Sequence, residues 1–110
     1  MPVVTVLAEP HPDAAGLVSA VADAVAQALG LGDGDVIATF VSAGPTAVSG
    51  SAAAAVAWPV VTIHGSDRGT AKMDAARAAT EASVRSWMSA HAVEHEGVWS
   101  EWLTSTPAVA

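Results

Sequence analysis

The stretch MPVVTVLAEP (residues 1–10) is echoed by WPVVTIHGSD (residues 58–67), so that Pro2-Val-Val-Thr-Val lines up with Pro59-Val-Val-Thr-Ile. A β-branched run entered through proline is the pattern of a buried strand, because proline donates no ladder hydrogen bond and is tolerated at a strand's first position. The residues behind each run are also alike. After the strand expected over 3–7, EPHPDAAG supplies a turn and a helix start. Pro12 suits the first helical position, and Asp13 suits the positive end of the helix. Over 13–29 the apolar residues Leu17, Val21, Val25 and Leu29 recur every fourth position, with Val18 and Ala28 beside them. That is the stripe of a helix buried along one side. GLGDGD (30–35) ends it, and 36–41 reads as a second strand.

Residues 43–57, AGPTAVSGSAAAAVA, are small and turn-forming and read as a mobile connection. The order then restarts. A strand is expected over 59–64, a turn over GSDRGT, and a helix over 71–90 carrying Met73, Ala76, Val84, Trp87 and Met88. HEG (95–97) breaks that helix, and 98–103 reads as the last strand. DGDVIATFVS resembles HEGVWSEWLTS, so the ends of the two halves match as the beginnings do. Strand, helix, strand, repeated once, predicts an α+β fold made of tandem β-α-β units. The expectation is one domain over 1–110, with pseudo-repeats over about 2–42 and 59–105. Joining two such units gives a four-stranded sheet with both helices on one face. The other face then needs cover from other subunits.

Composition narrows the function. Four Lys and Arg stand against eleven Asp and Glu, a formal charge of -7. That balance excludes the phosphate-contacting chemistry of a nucleic-acid binder and disfavours anionic membranes. No apolar run approaches the roughly 18 residues of a membrane span, and the start carries neither the basic nor the apolar region of a signal peptide. The chain has no cysteine, so disulfides and thiol chemistry are out. A cytoplasmic protein is the expectation. Hydrophobic residues make up 52% and charged ones only 14%, more apolar surface than a chain of 110 residues buries by itself. An extensive oligomer interface follows, although alanine contributes much of the count.

With these features in place, the chain resembles the tautomerase superfamily, whose members use β-α-β units singly or in tandem. The resemblance covers nearly the whole chain as architecture. As sequence it rests on MPVV at the start and IHGSDRG after the third strand. The second stretch is similar to the His-Gly-x-x-Arg segment of the cis-3-chloroacrylic acid dehalogenase group and to the matching turn of the macrophage migration inhibitory factor group. The resemblance implies the tautomerase fold, a homotrimer, no cofactor, and a catalytic proline freed by removal of the initiator methionine. There are also departures. Val25 stands where the dehalogenases have a helix histidine, and Glu101 where they have a tyrosine. Their C-terminal glutamate has no counterpart before Ala110. His11 stands where 4-oxalocrotonate tautomerases have an arginine, and the second strand lacks the basic residue they place there.

The candidate residues follow. With Met1 removed, Pro2 is a secondary amine, and burial lowers the basicity of such an amine toward neutral pH, where a general base works best. Its other reading is a plain strand-entry proline. Pro59 is of that kind, since its nitrogen is an amide. Arg68, at a turn before a helix start, combines a guanidinium with helix-end amides, a carboxylate site; its other reading is a surface charge paired with Asp67 or Asp74. Lys72 lies one turn further on, either assisting or pairing with a nearby aspartate. Arg77 and Arg85 read as the solvated side of the helix. His64, ending a strand, is a weaker binding candidate beside its reading as a packed histidine.

Glu101 shares a strand face with Trp99 and Leu103, opposite Trp102. It is a weaker proton acceptor candidate, with Trp99 as a pocket wall. The segment HAVEH (91–95) fits an inverted zinc-protease pattern, but Glu96-Gly97 breaks it and only 15 residues follow His95, so no metal site is expected. The leading expectation is a tautomerase-like isomerase in which Pro2 moves a proton on a small carbonyl acid held by Arg68. With so few cations, a monocarboxylate such as an arylpyruvate fits better than a dicarboxylate. The alternatives are decarboxylation of a 3-oxo acid on the same scaffold, or a non-catalytic oligomeric binding protein.

Overall fold

In the computed structural model, which describes residues 1–50 and 58–105, the two Pro-Val-Val-Thr strands lie side by side at the centre of one sheet. The elements run β1 (Val3–Ala8), α1 (Ala14–Leu29), β2 (Ile37–Ser42), β3 (Val60–Gly65), α2 (Thr70–Ala90) and β4 (Trp99–Thr104). The sheet order is β2-β1-β3-β4. β1 pairs parallel with β2 and β3 parallel with β4, as strands joined through a helix must. β1 and β3 meet antiparallel, with Thr5 opposite Thr62. The expected α+β sheet with its two helices is therefore what the chain forms. Each strand begins one residue later than the sequence pattern placed it, except β1, which runs on to Ala8. Part of the connection expected over 43–57 lies outside the described residues.

Alternation along the strands sorts the sheet into two unlike faces. Val4, Val6, Val61 and Ile63 point to the helices and are fully buried, and Leu17, Val21, Val25 and Leu29 of α1 meet them in one cluster. From α2 the cluster takes Ala76, Val84, Trp87 and Met88. Truncating a buried leucine such as Leu17 costs about 2–5 kcal/mol, because the removed methyls leave a cavity as well as lost transfer energy. Gly30, in the left-handed conformation at φ 69, closes α1 where a side chain would be strained. The helix starts at Ala14 and not at Pro12, because Asp13 takes the N-cap position.

Among the described residues the opposite face carries no helix. The register across all four strands sets out three rows on it: Val41, Leu7, Val60, Trp99; Thr39, Thr5, Thr62, Glu101; and Ile37, Val3, His64, Leu103. Val3, Ile37, Val41, Trp99 and Leu103 are between 43% and 57% exposed, so apolar side chains on this face stand in water in the single chain. Among the described residues no helix is long and apolar enough to cross a membrane.

Candidate functional site

Pro2 precedes β1 and is fully buried. Its carbonyl accepts the Ile37 amide at 3.2 Å, which fixes the start of β1 against the start of β2. Since Val3 pairs with His64, Pro2 stands at the step of Gly65, the last residue of β3. Gly65 cannot be larger: a Cβ there would sit 2.8 Å from Trp102 Cζ2. The Ser105 amide donates to the Gly65 carbonyl at 2.7 Å, holding the end of β4 to the same point. Pro2, Gly65 and the last turn of β4 therefore share one end of the sheet.

The turn leaving Gly65 delivers Arg68 to that end. The Asp67 carboxylate accepts the Gly69 amide at 2.8 Å, a side-chain turn that occupies Asp67 locally. Gly69, at φ 84, then takes the left-handed corner that starts α2. Arg68 is half-buried, and its Nε is enclosed without a hydrogen-bond partner. Asp74, the other aspartate considered for it, pairs instead with Arg77 at 3.7 Å. A guanidinium N–H enclosed and unpaired is costly until an acceptor reaches it, and a carboxylate is the acceptor its planar geometry fits best.

The remaining candidates spread over the sheet. His64 is exposed on the open face in the row of Val3, at the Pro2 end. Lys72 is exposed in the first turn of α2, with no ion pair among the described residues. Glu101 lies half-buried in the middle row beside Thr62, and Trp99 belongs to the row furthest from Pro2. Trp102 packs on the core from the other face. One chain thus gathers Pro2, His64 and Arg68 at one end, with Lys72 one turn away, and leaves Glu101 and Trp99 at increasing distance. Arg77 keeps a solvated side chain with only its Nε enclosed, and Arg85 is exposed.

A second cluster escaped the sequence reading. Counting nine residues from each repeated proline gives Arg68 in one half and His11 in the other. His11 lies at the opposite end of the sheet, in a group with Asp13, Trp87 and His91. That alignment of the repeats is the signal that marks the position. His11 and Trp87 of this group line a cavity of about 60 Å³ together with Glu9, Pro59, Met88 and Glu94 among others. The HAVEH segment begins just past the end of α2, and His91 is committed to this group.

No family model and no curated protein matches the chain. Solved structures do. A wild-type fused 4-OT described as a symmetric trimer superposes with a TM-score of 0.73 at 20% identity, covering 94% of this chain and 85% of that one. MIF2 of Leishmania major superposes at 0.69 with 16% identity, over 96% of this chain and 89% of its own. Malonate semialdehyde decarboxylase gives 0.69 at 13% identity, over 94% and 84%. The chain has the tautomerase fold. At such identities the likeness fixes how the backbone is arranged, and the chemistry must be argued from this chain's own residues.

Proposed function

We propose that the chain is a tautomerase-superfamily isomerase in which the freed Pro2 amine moves a proton on a small monocarboxylate enol or keto acid. The observation that carries the reading is Pro2, fully buried, at the sheet end where Arg68 keeps an enclosed Nε without a partner. With Met1 removed, the Pro2 nitrogen holds a lone pair in a site shielded from water. It takes the enol O–H proton and returns it to the adjacent carbon, so the enol becomes the keto form with no net change in protons. Arg68 holds the carboxylate and fixes which carbon faces the amine. Arg77 is engaged with Asp74, so a single guanidinium serves this end, which fits one carboxylate better than two.

The reading includes assembly as a homotrimer. The open face, with its exposed Val3, Ile37, Val41, Trp99 and Leu103, supplies the apolar surface that copies of the chain would cover. The fused 4-OT structures described as symmetric and asymmetric trimers support that arrangement. Glu101 and Trp99 reach a site only if a neighbouring copy brings them there. Decarboxylation of a 3-oxo acid is the second reading, favoured by the backbone likeness to malonate semialdehyde decarboxylase.

The test is a panel of arylpyruvate enols and 3-oxo acids assayed on protein whose intact mass shows Met1 removed. Ketonisation of the enols well above the buffer rate supports the isomerase. Turnover of 3-oxo acids alone favours the decarboxylase. Inertness toward both leaves the non-catalytic binding protein.

A further inference from the structure

The group at the far end of the sheet contains a histidine with an unusual demand. His91 caps the C-terminus of α2, and both of its ring nitrogens face acceptors. Nδ1 lies 2.8 Å from the Trp87 carbonyl, and Nε2 lies 2.9 Å from Asp13 Oδ2. A neutral imidazole has one N–H to give, so one of these contacts would set a lone pair against an oxygen. The imidazolium satisfies both. Asp13 is the N-cap of α1, and its Oδ2 also accepts the Trp87 indole N–H at 3.2 Å. That indole hydrogen bond first, and then the charge and contact of His91, outweigh partial burial and hold the Asp13 carboxyl below its ordinary value.

The surroundings favour a cation at His91 in three ways. The end of α2 is the negative end of a helix dipole. The ring stacks on Trp87 at a centroid distance of 4.2 Å and 23°, where the indole face attracts positive charge. The neighbouring His11 is neutral in this arrangement, because its Nδ1 accepts the Asp13 amide at 2.9 Å and so carries no proton. The two rings stand 5.2 Å apart edge to face, and a second cation at His11 would both break that bond and repel His91. Glu9 and Glu94 line the cavity beside them and add negative charge near the cluster.

We propose that His91 is a proton-dependent latch joining the C-terminal end of α2 to the N-terminal end of α1. The latch is closed with Asp13 ionised, His91 charged and His11 neutral. Raising the pH removes the His91 proton, and one of its two contacts must part. Lowering the pH far enough to protonate Asp13 removes the charge that faces His91 Nε2, and the cluster opens from the other side. This device is independent of the chemistry at Pro2, which lies at the other end of the sheet.

Two measurements on the whole protein test it. Long-range proton–nitrogen correlation spectra at pH 6 should show both His91 ring nitrogens protonated. Thermal unfolding from pH 6 to 8.5 should lower the midpoint of the wild type by about 4–8 °C more than that of His91→Gln. A His91 ring with one N–H at pH 6 overturns the proposal, and so do parallel unfolding curves. Where His91→Gln fails to fold, the spectra of the wild type decide alone. Loss of enol turnover moves neither readout.

Discussion

The two ends of the sheet begin from the same string and end in different chemistry. At one end Pro2 directly follows Met1, and opposite it across the sheet stands Gly65, which leads into the turn that carries Arg68. At the other, Pro59 is held in an amide bond behind Trp58, and the equivalent position is His11, which folds back on its own turn through the Asp13 amide. The first end keeps an enclosed guanidinium N–H without a partner. The second joins Asp13, Trp87 and His91 to one another. The difference shows how a repeated strand can serve two purposes. The strands build the same half-sheet, and the residue nine places later differs, an arginine with an enclosed and unpaired Nε in one half and a histidine folded onto its own turn in the other.

Substitutions at the paired positions break or sharpen this comparison. Pro2→Ala has the largest expected effect, a loss of about 10²–10⁴-fold in kcat for an enol substrate, since a primary amine differs in basicity and in the rigidity of its aim. Circular dichroism and sedimentation should show the fold and assembly retained. Arg68→Ala comes next, raising KM for carboxylate substrates by about 10-fold or more with kcat less affected, since ground-state charge binding is lost while the base survives. If an uncharged enol suffers equally, Arg68 is structural. Pro59→Ala should do least, with activity within about twofold and stability lowered by less than about 1 kcal/mol, because only strand entry and chain stiffness change. A Pro59→Ala variant as inactive as Pro2→Ala would remove the asymmetry altogether.

What was legible in the sequence was what depends on local period. The four-residue spacing from Leu17 to Leu29 placed the buried stripe of α1, and the alternation through Trp99, Glu101 and Leu103 separated them from Trp102 correctly. The repeated string gave both central strands and their likeness. It did not give their register, in which Thr5 meets Thr62 and a polar row of three threonines and Glu101 crosses an otherwise apolar face. Pairing between distant strands leaves no periodic trace. Thr80, buried in α2, is likewise invisible to a pattern that looks for apolar residues. The contact between Trp87 and Asp13 joins positions far apart in sequence, so the grouping of His91 with them needed the helix ends to be brought together. Motif likeness singles out Pro2 and Arg68 separately, whereas their place at one end of the sheet and the enclosure of the Arg68 Nε needed the fold.

The central claim is that the Pro2 nitrogen, and not its ring or its place in the strand, does the work. The most direct test compares one preparation with Met1 removed and one with Met1 retained, each verified by intact mass on the assayed sample. No side chain of the site differs between them. In the retained form the Pro2 nitrogen is an amide with no lone pair available for a proton. The expected result is robust enol ketonisation by the processed protein and a loss of at least about 100-fold in the retained form. Equal activity with Met1 still attached would contradict the assignment of Pro2 as the base.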